Sequence, residues 1–256
     1  MDKLRIRQEV QAYRIVRRNV LNIVKSIPFN NMAKLTYTAL INSNVTERQI
    51  KDMYSEIYTS LIQPQYKRTE RQLKADIDFN MIIANWLNTN AGLRIVSVHQ
   101  SLIEAIIKVI EQGYEQNLTV ADITRNLQNK FGWYKAQALR IARTETTTAT
   151  NLATTLAASN SEYQLQKTWI SAQDNRTRRP PKSHFDHLDM NGQTVDEFSS
   201  FFVGGENLEY PGDPNGTAGN IINCRCKVVY TIKEDENGLP FISPLGISTV
   251  VFLRLL

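Results

Sequence analysis

The sequence predicts an α+β protein: a helical N-terminal region followed by a small α+β domain with a short antiparallel sheet and long loops. Three observations lead there. Apolar residues recur at helical spacing through most of the first 159 positions. The period then shortens to two across Tyr163–Ser171 and again across Cys224–Ile232. Between those two stretches, or just after them, lie most of the glycines and prolines, both cysteines and two of the three histidines. On this reading residues 1–117 are a helical region, 118–233 form the α+β domain, and 234–256 are a C-terminal tail.

Taken in order, residues 2–27 read as an amphipathic helix. Leu4, Val10, Tyr13, Val16, Val20 and Ile23 or Val24 form its apolar face, and Pro28 stops it. Arg7, Arg14, Arg17 and Arg18 fall between them. They make either a solvated face or one that docks on a partner or on phosphates. Asn30 to Asn44 reads as a polar linker with a short helix. A second helix opens at a Val45 or Thr46 cap, buries Ile50, Met53, Tyr54, Ile57, Tyr58 and Leu61, and ends at Pro64. A third runs from about Thr69 to Leu87. Asn88–Gly92 is a turn. A fourth spans about Leu93 to Gln112, with Gly113 as a left-handed C-cap and His99 as an ordinary helix histidine.

Thr119 is the expected N-cap of the next helix, with Asp122 favouring its dipole. A long helix follows from about Tyr134 to Ser159. Ala138, Leu139, Ile141, Ala142, Ala149, Leu152, Ala153 and Leu156 make a small-residue stripe suited to close packing. Its threonines have low helix propensity, but the apolar spacing is helical and neither Gly nor Pro interrupts. The two alternating stretches then read as strands that pair antiparallel, bringing Asp174 and Cys226 to one end of the sheet. The apolar tail from Pro240 reads as an edge strand, a docking peptide or what a truncation leaves.

Composition narrows the function classes. With 42% hydrophobic residues the chain can build a core, so it is not a disordered segment. A net charge of +5 is compatible with nucleic acid or an acidic protein partner and requires neither. No apolar leader opens the chain, and no run reaches the length of a membrane span. Two cysteines at i and i+2 are not a secreted disulfide framework, so synthesis in a cytosol is expected.

The chemistry is concentrated between Asp174 and Cys226. Cys224 and Cys226, read as strand residues, share one face with parallel side chains, so a disulfide between them is not expected. Two thiolates with an imidazole from His187 or His184 would suit Zn²⁺. The alternative is two buried free cysteines with His187 hydrogen-bonded to backbone. Asp174 and the arginines from Arg176 onward form a turn of opposite charges, with Glu145 as a candidate arginine partner on the long helix. No nucleophile elbow, phosphate loop or paired-carboxylate motif is present, and no enzyme is expected.

The order of these pieces resembles a known family. Ile141-Ala142-Arg143-Thr144-Glu145, Asn151, Trp169, Asp174-Asn175-Arg176-Thr177-Arg178, His187 before Gly192, Pro211-Gly212-Asp213 and Asn223-Cys224-Arg225-Cys226 follow one another as in the phage head morphogenesis proteins of the Mu F-like and SPP1 type. Here residues 179–186 lengthen the gap to the family histidine, and the spacing to Gly192 favours His187 over His184. The resemblance implies a non-enzymatic, low-copy minor capsid protein acting at the portal in procapsid assembly and in DNA packaging or ejection. Its expected place is the virion interior, after assembly in the host cytoplasm. Its expected partners are the portal, other procapsid components and packaged double-stranded DNA bound without regard to sequence. The competing expectation is a metal-dependent enzyme or effector domain using His187 with Cys224 and Cys226.

Overall fold

The structure is a computed structural model that describes residues 3–25, 44–73 and 100–243, apart from positions 101, 103, 110, 114, 117 and 130. Helix α1 spans Lys3–Lys25. Its buried stripe is Gln8, Ala12, Ile15, Val16, Val20 and Ile23, a run of three- and four-residue steps that keeps to one helix face. Val10, expected on that face, is 42% exposed. It lies about 200° around the helix from Ala12, so both cannot face the core. Arg7, Arg14, Arg17 and Arg18 are exposed, and Arg18 pairs with Glu56.

Helix α2 spans Asn44–Leu73. It begins before Val45 and Thr46, so neither is its cap. All six residues expected on its apolar face are buried. The expected stop at Pro64 does not occur, and the helix runs on for about two and a half turns to Leu73. Proline removes one backbone bond and crowds the carbonyl four residues back, at a cost of about 3 kcal/mol. Packing beyond it offsets that cost: Tyr66 and Thr69 are buried, and the Gln65 amide donates to Thr154 Oγ1 at 3.2 Å. The expected third helix therefore begins inside α2, and its remainder lies outside the described residues. So do the linker at 30–43, the turn at 88–92 and His99.

The chain is helical again where described between 102 and 113. Gly113 is not left-handed and does not cap by that route. A Cβ there would come within 2.4 Å of Ile123 Cγ1, so glycine allows this close approach. Helix α3, Val120–Asn129, has the expected cap: the Asp122 amide donates to Thr119 Oγ1 at 3.2 Å, and the Thr119 hydroxyl donates to Asp122 Oδ2 at 2.6 Å. That hydroxyl holds the Asp122 carboxyl below its ordinary range.

Helix α4, Phe131–Ala158, is the central element. Both α1 and α2 pack on it, and the strand Lys227–Ile232 lies against it as well. From Thr144 to Thr155 it is buried on nearly every side, with polar residues among the alanines. The sheet places β1 (Leu165–Ile170) between β2 (Thr194–Asp196) and β5 (Lys227–Ile232), antiparallel to both. The expected pairing of the two alternating stretches is present, with Trp169 opposite Val228. The alternation did not reveal β2, the hairpin of β3 (Phe201–Val203) and β4 (Glu206–Leu208), or the short helix α5 (Ala218–Ile221). Each of these strands and the helix is four residues or fewer, too short for a periodic signal. After β5 the chain returns so that Ile242 bridges Tyr163. The tail from 244 onward lies outside the described residues.

Glu145 is buried on α4, at 4% exposed, but it is directed at the helical layer. The Tyr58 hydroxyl of α2 donates to its Oε2 at 2.6 Å. The arginines expected to pair with it engage other carboxylates: Arg143 meets Glu9 at 3.4 Å and Arg176 meets Asp174 at 3.7 Å. Tyr58→Phe removes a donor from a buried carboxylate, a loss of about 1–3 kcal/mol. Each kcal/mol corresponds to about 2–4 °C in a chain of this size. Thermal unfolding of Tyr58→Phe is expected to show that fall in Tm, and an unchanged Tm would contradict the role given to this bond.

Candidate metal centre

The stretch 222–226 is neither helix nor strand, yet its cysteines are buried: Cys224 is 1% and Cys226 2% exposed. They precede β5 rather than lying on it, and Asn223 turns the chain with φ 58°, a conformation asparagine tolerates better than most residues. A buried irregular segment needs partners for its backbone groups. Here side chains supply them. Arg178 donates to the carbonyl of Ile222, and Thr147 to that of Cys224. Arg5 donates to the carbonyls of Cys224 at 3.2 Å and Arg225 at 2.5 Å. Asn151 donates to the Cys226 carbonyl at 3.1 Å and accepts from the Val228 amide at 3.1 Å. The Asn223 amide donates to Thr144 Oγ1 at 3.0 Å.

His187 arrives from the other side of the loop region. Its amide and that of Leu188 both donate to the Arg178 carbonyl. The ring is 1% exposed and packs edge-on against Trp169, with centroids 5.4 Å apart. Nε2 lies 2.6 Å from Asn220 Oδ1. The Asn220 Nδ2 faces two acceptors, the Val203 carbonyl at 3.3 Å and Glu206 Oε2 at 3.0 Å, which fixes Oδ1 toward the histidine. Since Oδ1 only accepts, Nε2 carries the proton and Nδ1 presents a lone pair. That lone pair faces both thiols, each sulfur 3.6 Å from Nδ1. The three ligand atoms lie within 4.8 Å of one another and could hold a metal ion. Neither cysteine is in a disulfide.

The two thiols share their protons unequally. A hydrogen bond from Cys226 holds Cys224 well below the usual thiol range. Cys226, which keeps the shared proton, is pushed above it. The Trp169 indole N–H meets no hydrogen-bond acceptor among the described residues.

His184 is not part of this cluster. It is exposed, with Nε2 2.9 Å from the Gly204 carbonyl and its ring against Phe185. It stands three positions before His187, and its ring is exposed where that of His187 is buried. Asp174 lies next to the cluster through Arg225, between the two cysteines. Arg225 grips Asp174 with both terminal nitrogens, one at 2.6 Å from Oδ1. Arg176 completes the turn by donating its amide to Asp174 Oδ1 at 2.9 Å. Arg143 reaches Asn223 Oδ1 at 3.5 Å, at the limit of a hydrogen bond. The sequence had pointed to His187, Cys224, Cys226, Asp174, Arg143, Arg176 and Asn223. It had not pointed to Arg5, Asn220, Glu206 or Arg225, of which only Arg225 carried a signal, by standing between the cysteines. Arg7, Arg14, Arg17 and Arg18 are on α1 and away from the cluster.

Comparison with known proteins follows this geometry. Residues 104–229 match the family model described as Phage Mu protein F like protein. The NAD(+)--arginine ADP-ribosyltransferase EFV of Enterococcus faecalis is 24% identical over 160 residues, 61% of this chain. The chain spans 31% of the length of that protein. No solved structure matches.

The Asp174–Arg225 pair makes a pH prediction. The Arg225 hydrogen bonds hold the Asp174 carboxyl far below the ordinary aspartate range. A depressed carboxylate stabilises the fold above its unfolded pKa, about 4, and loses that contribution as pH falls toward the folded value. The stability gap between the wild type and Asp174→Asn is therefore expected to be constant above about pH 5 and to shrink below about pH 4. Urea unfolding across pH measures it. A gap that persists unchanged to pH 2 would be inconsistent with this pairing.

Proposed function

Because residues 104–229 belong to the phage Mu protein F-like family, we propose that this chain is a minor head-morphogenesis protein, held in few copies at the portal, whose Asp174–Cys226 region is stapled by Zn²⁺. The family match carries the head-protein reading. The geometry of His187, Cys224 and Cys226 carries the metal. In a tetrahedral site with Zn–S about 2.3 Å and Zn–N about 2.0–2.1 Å, nitrogen and sulfur stand about 3.6 Å apart. Both Nδ1–Sγ separations have that value. The histidine also has the support such ligands use, an N–H donated to a fixed oxygen. A zinc here would hold both cysteines as thiolates and tie the irregular 222–226 stretch to the loop bearing His187.

The role is structural on this reading because all three donors are at most 2% exposed. The enzyme alternative has one point in its favour: three protein donors leave a fourth position open, as in catalytic zinc sites. The activity in the name of the Enterococcus faecalis relative belongs to a protein of which this chain spans less than a third, and it is not carried over. In the virion this protein would lie inside the head, with portal and procapsid proteins as partners and the host cytoplasm as its place of assembly. The exposed arginines Arg7, Arg14 and Arg17 of α1 would face packaged duplex DNA.

Two sets of measurements test these points. Elemental analysis of the full-length protein is expected to find about one zinc per chain, as a three-donor site with Cys and His selects it. Cys224→Ser/Cys226→Ser should lose that zinc, and chelation should lower the Tm of the wild type only. Absence of metal, with an unmoved Tm, would leave two free cysteines. Crosslinking mass spectrometry of purified particles should find the chain in few copies beside the portal, and its absence from particles would end the head-protein reading. For DNA, affinity should fall with salt by a log–log slope of about −0.9 per phosphate contact and ignore sequence. Arg7→Ala/Arg14→Ala/Arg17→Ala should flatten that slope, and equal slopes would make α1 a protein-docking face.

A further inference from the structure

A cleft of about 710 Å³ opens between α1, α2, α4 and β5, with Asp174 and Arg225 in its wall. Two kinds of lining group are unsatisfied. The first is polar and deeply buried. Gln8 is 8% exposed and Ser171 is 7% exposed. The side chain of Gln8 makes no hydrogen bond among the described residues, and neither does Ser171 Oγ. The second is cationic and lies at the rim. Arg68 of α2 and Lys227 of β5 are exposed and form no ion pair among the described residues. The other cations of the cleft are neutralised, Arg5 by Glu9 and Arg225 by Asp174.

We propose that this cleft binds an extended, acidic peptide segment of a partner protein, its backbone on Gln8 and its carboxylates on Arg68 and Lys227. A carboxamide offers one donor and one acceptor side by side, the complement of a peptide group. The same wall already shows the pairing: Asn151 bonds the Cys226 carbonyl and the Val228 amide as a neighbouring strand would. Gln8 presents the same group with nothing to pair. β5 is the edge of its sheet, and an edge beside a groove is where an extended chain is received. The rim cations call for an anion of the right reach, which an acidic side chain supplies. Nucleic acid fits less well. A cleft of this volume does not admit a duplex about 20 Å across, and the lining ring of Tyr230 is 8% exposed with its hydroxyl on Thr155, so no base can stack on it.

The test is fluorescence anisotropy with the full chain at low salt. The probe is a labelled ten-residue peptide of alternating glutamate and valine, with a lysine–valine peptide and a 20-base-pair duplex as comparisons. The acidic peptide should bind and the basic one should not. Arg68→Glu/Lys227→Glu should weaken it by about tenfold or more, because reversal removes attraction and adds repulsion. Gln8→Leu should weaken it severalfold at unchanged salt dependence. Lys51→Glu/Lys182→Glu has the same net-charge change outside the cleft and should bind as wild type. Equal affinity of the two double variants, or no binding of the acidic peptide up to millimolar concentration, overturns the proposal. Duplex binding that is lost in Arg68→Glu/Lys227→Glu, without acidic-peptide binding, would assign the cleft to nucleic acid instead. Circular dichroism of each variant separates loss of binding from loss of fold.

Discussion

The backbone of residues 222–226 is the constraint on which the rest of this structure depends. Five consecutive residues lack the ladder of a helix or a sheet, the last three of them buried, and a buried carbonyl left unmet is destabilising by about 1–3 kcal/mol. Four of these carbonyls receive side-chain donors, from Arg178, Thr147, Arg5 and Asn151. The donors come from α1, α4 and the loop after β1. Meeting the hydrogen-bonding needs of one irregular loop thus draws the N-terminal helix, the central helix and the sheet together. It also holds both sulfurs toward the one lone pair that His187 presents.

The same requirement accounts for the composition of α4. Threonine is a poor helix former when it is solvated, partly because its hydroxyl competes for backbone bonds. Here that property is used. Thr144 and Thr154 satisfy their own hydroxyls on the carbonyl four residues back. Thr147 and Thr148 donate across to the loops, to Cys224 and Gly212. Gly212 has φ 83°, and a Cβ there would meet α4 side-chain atoms at 3.2 Å. Threonines short enough to allow that approach, and polar enough to bond the loop, explain a helix that propensity alone disfavours.

A chain of fixed hydrogen bonds orients the histidine. Glu206 is held ionised, below the usual glutamate range, chiefly by the Thr217 hydroxyl. It accepts from Asn220, which fixes the carboxamide that sets the proton on His187. The β3–β4 hairpin and α5, which looked like loop in the sequence, exist to carry those two residues. The His187–Cys224–Cys226 cluster is therefore supported from two directions, the histidine by the hairpin and the cysteines by α4 and α1.

What the sequence determined by itself was whatever depends on neighbours along the chain. The six-residue face of α2, the Thr119 cap, the length of α4 and the pairing of β1 with β5 were legible, because periodicity and capping act within a few residues. His187, Cys224 and Cys226 were legible as chemistry because few side chains bind soft metals and these lay in one loop-rich region. The tertiary structure alone decided the rest. Pro64 stays inside a helix because Tyr66 and Thr69 find buried places beyond it. Glu145 meets Tyr58, 87 positions away, and Arg5 meets the Cys224 carbonyl across 219. Contacts at such separations leave no local pattern to read. Which ring nitrogen of His187 faces the thiols was decided in the same way, by Asn220, 33 positions away.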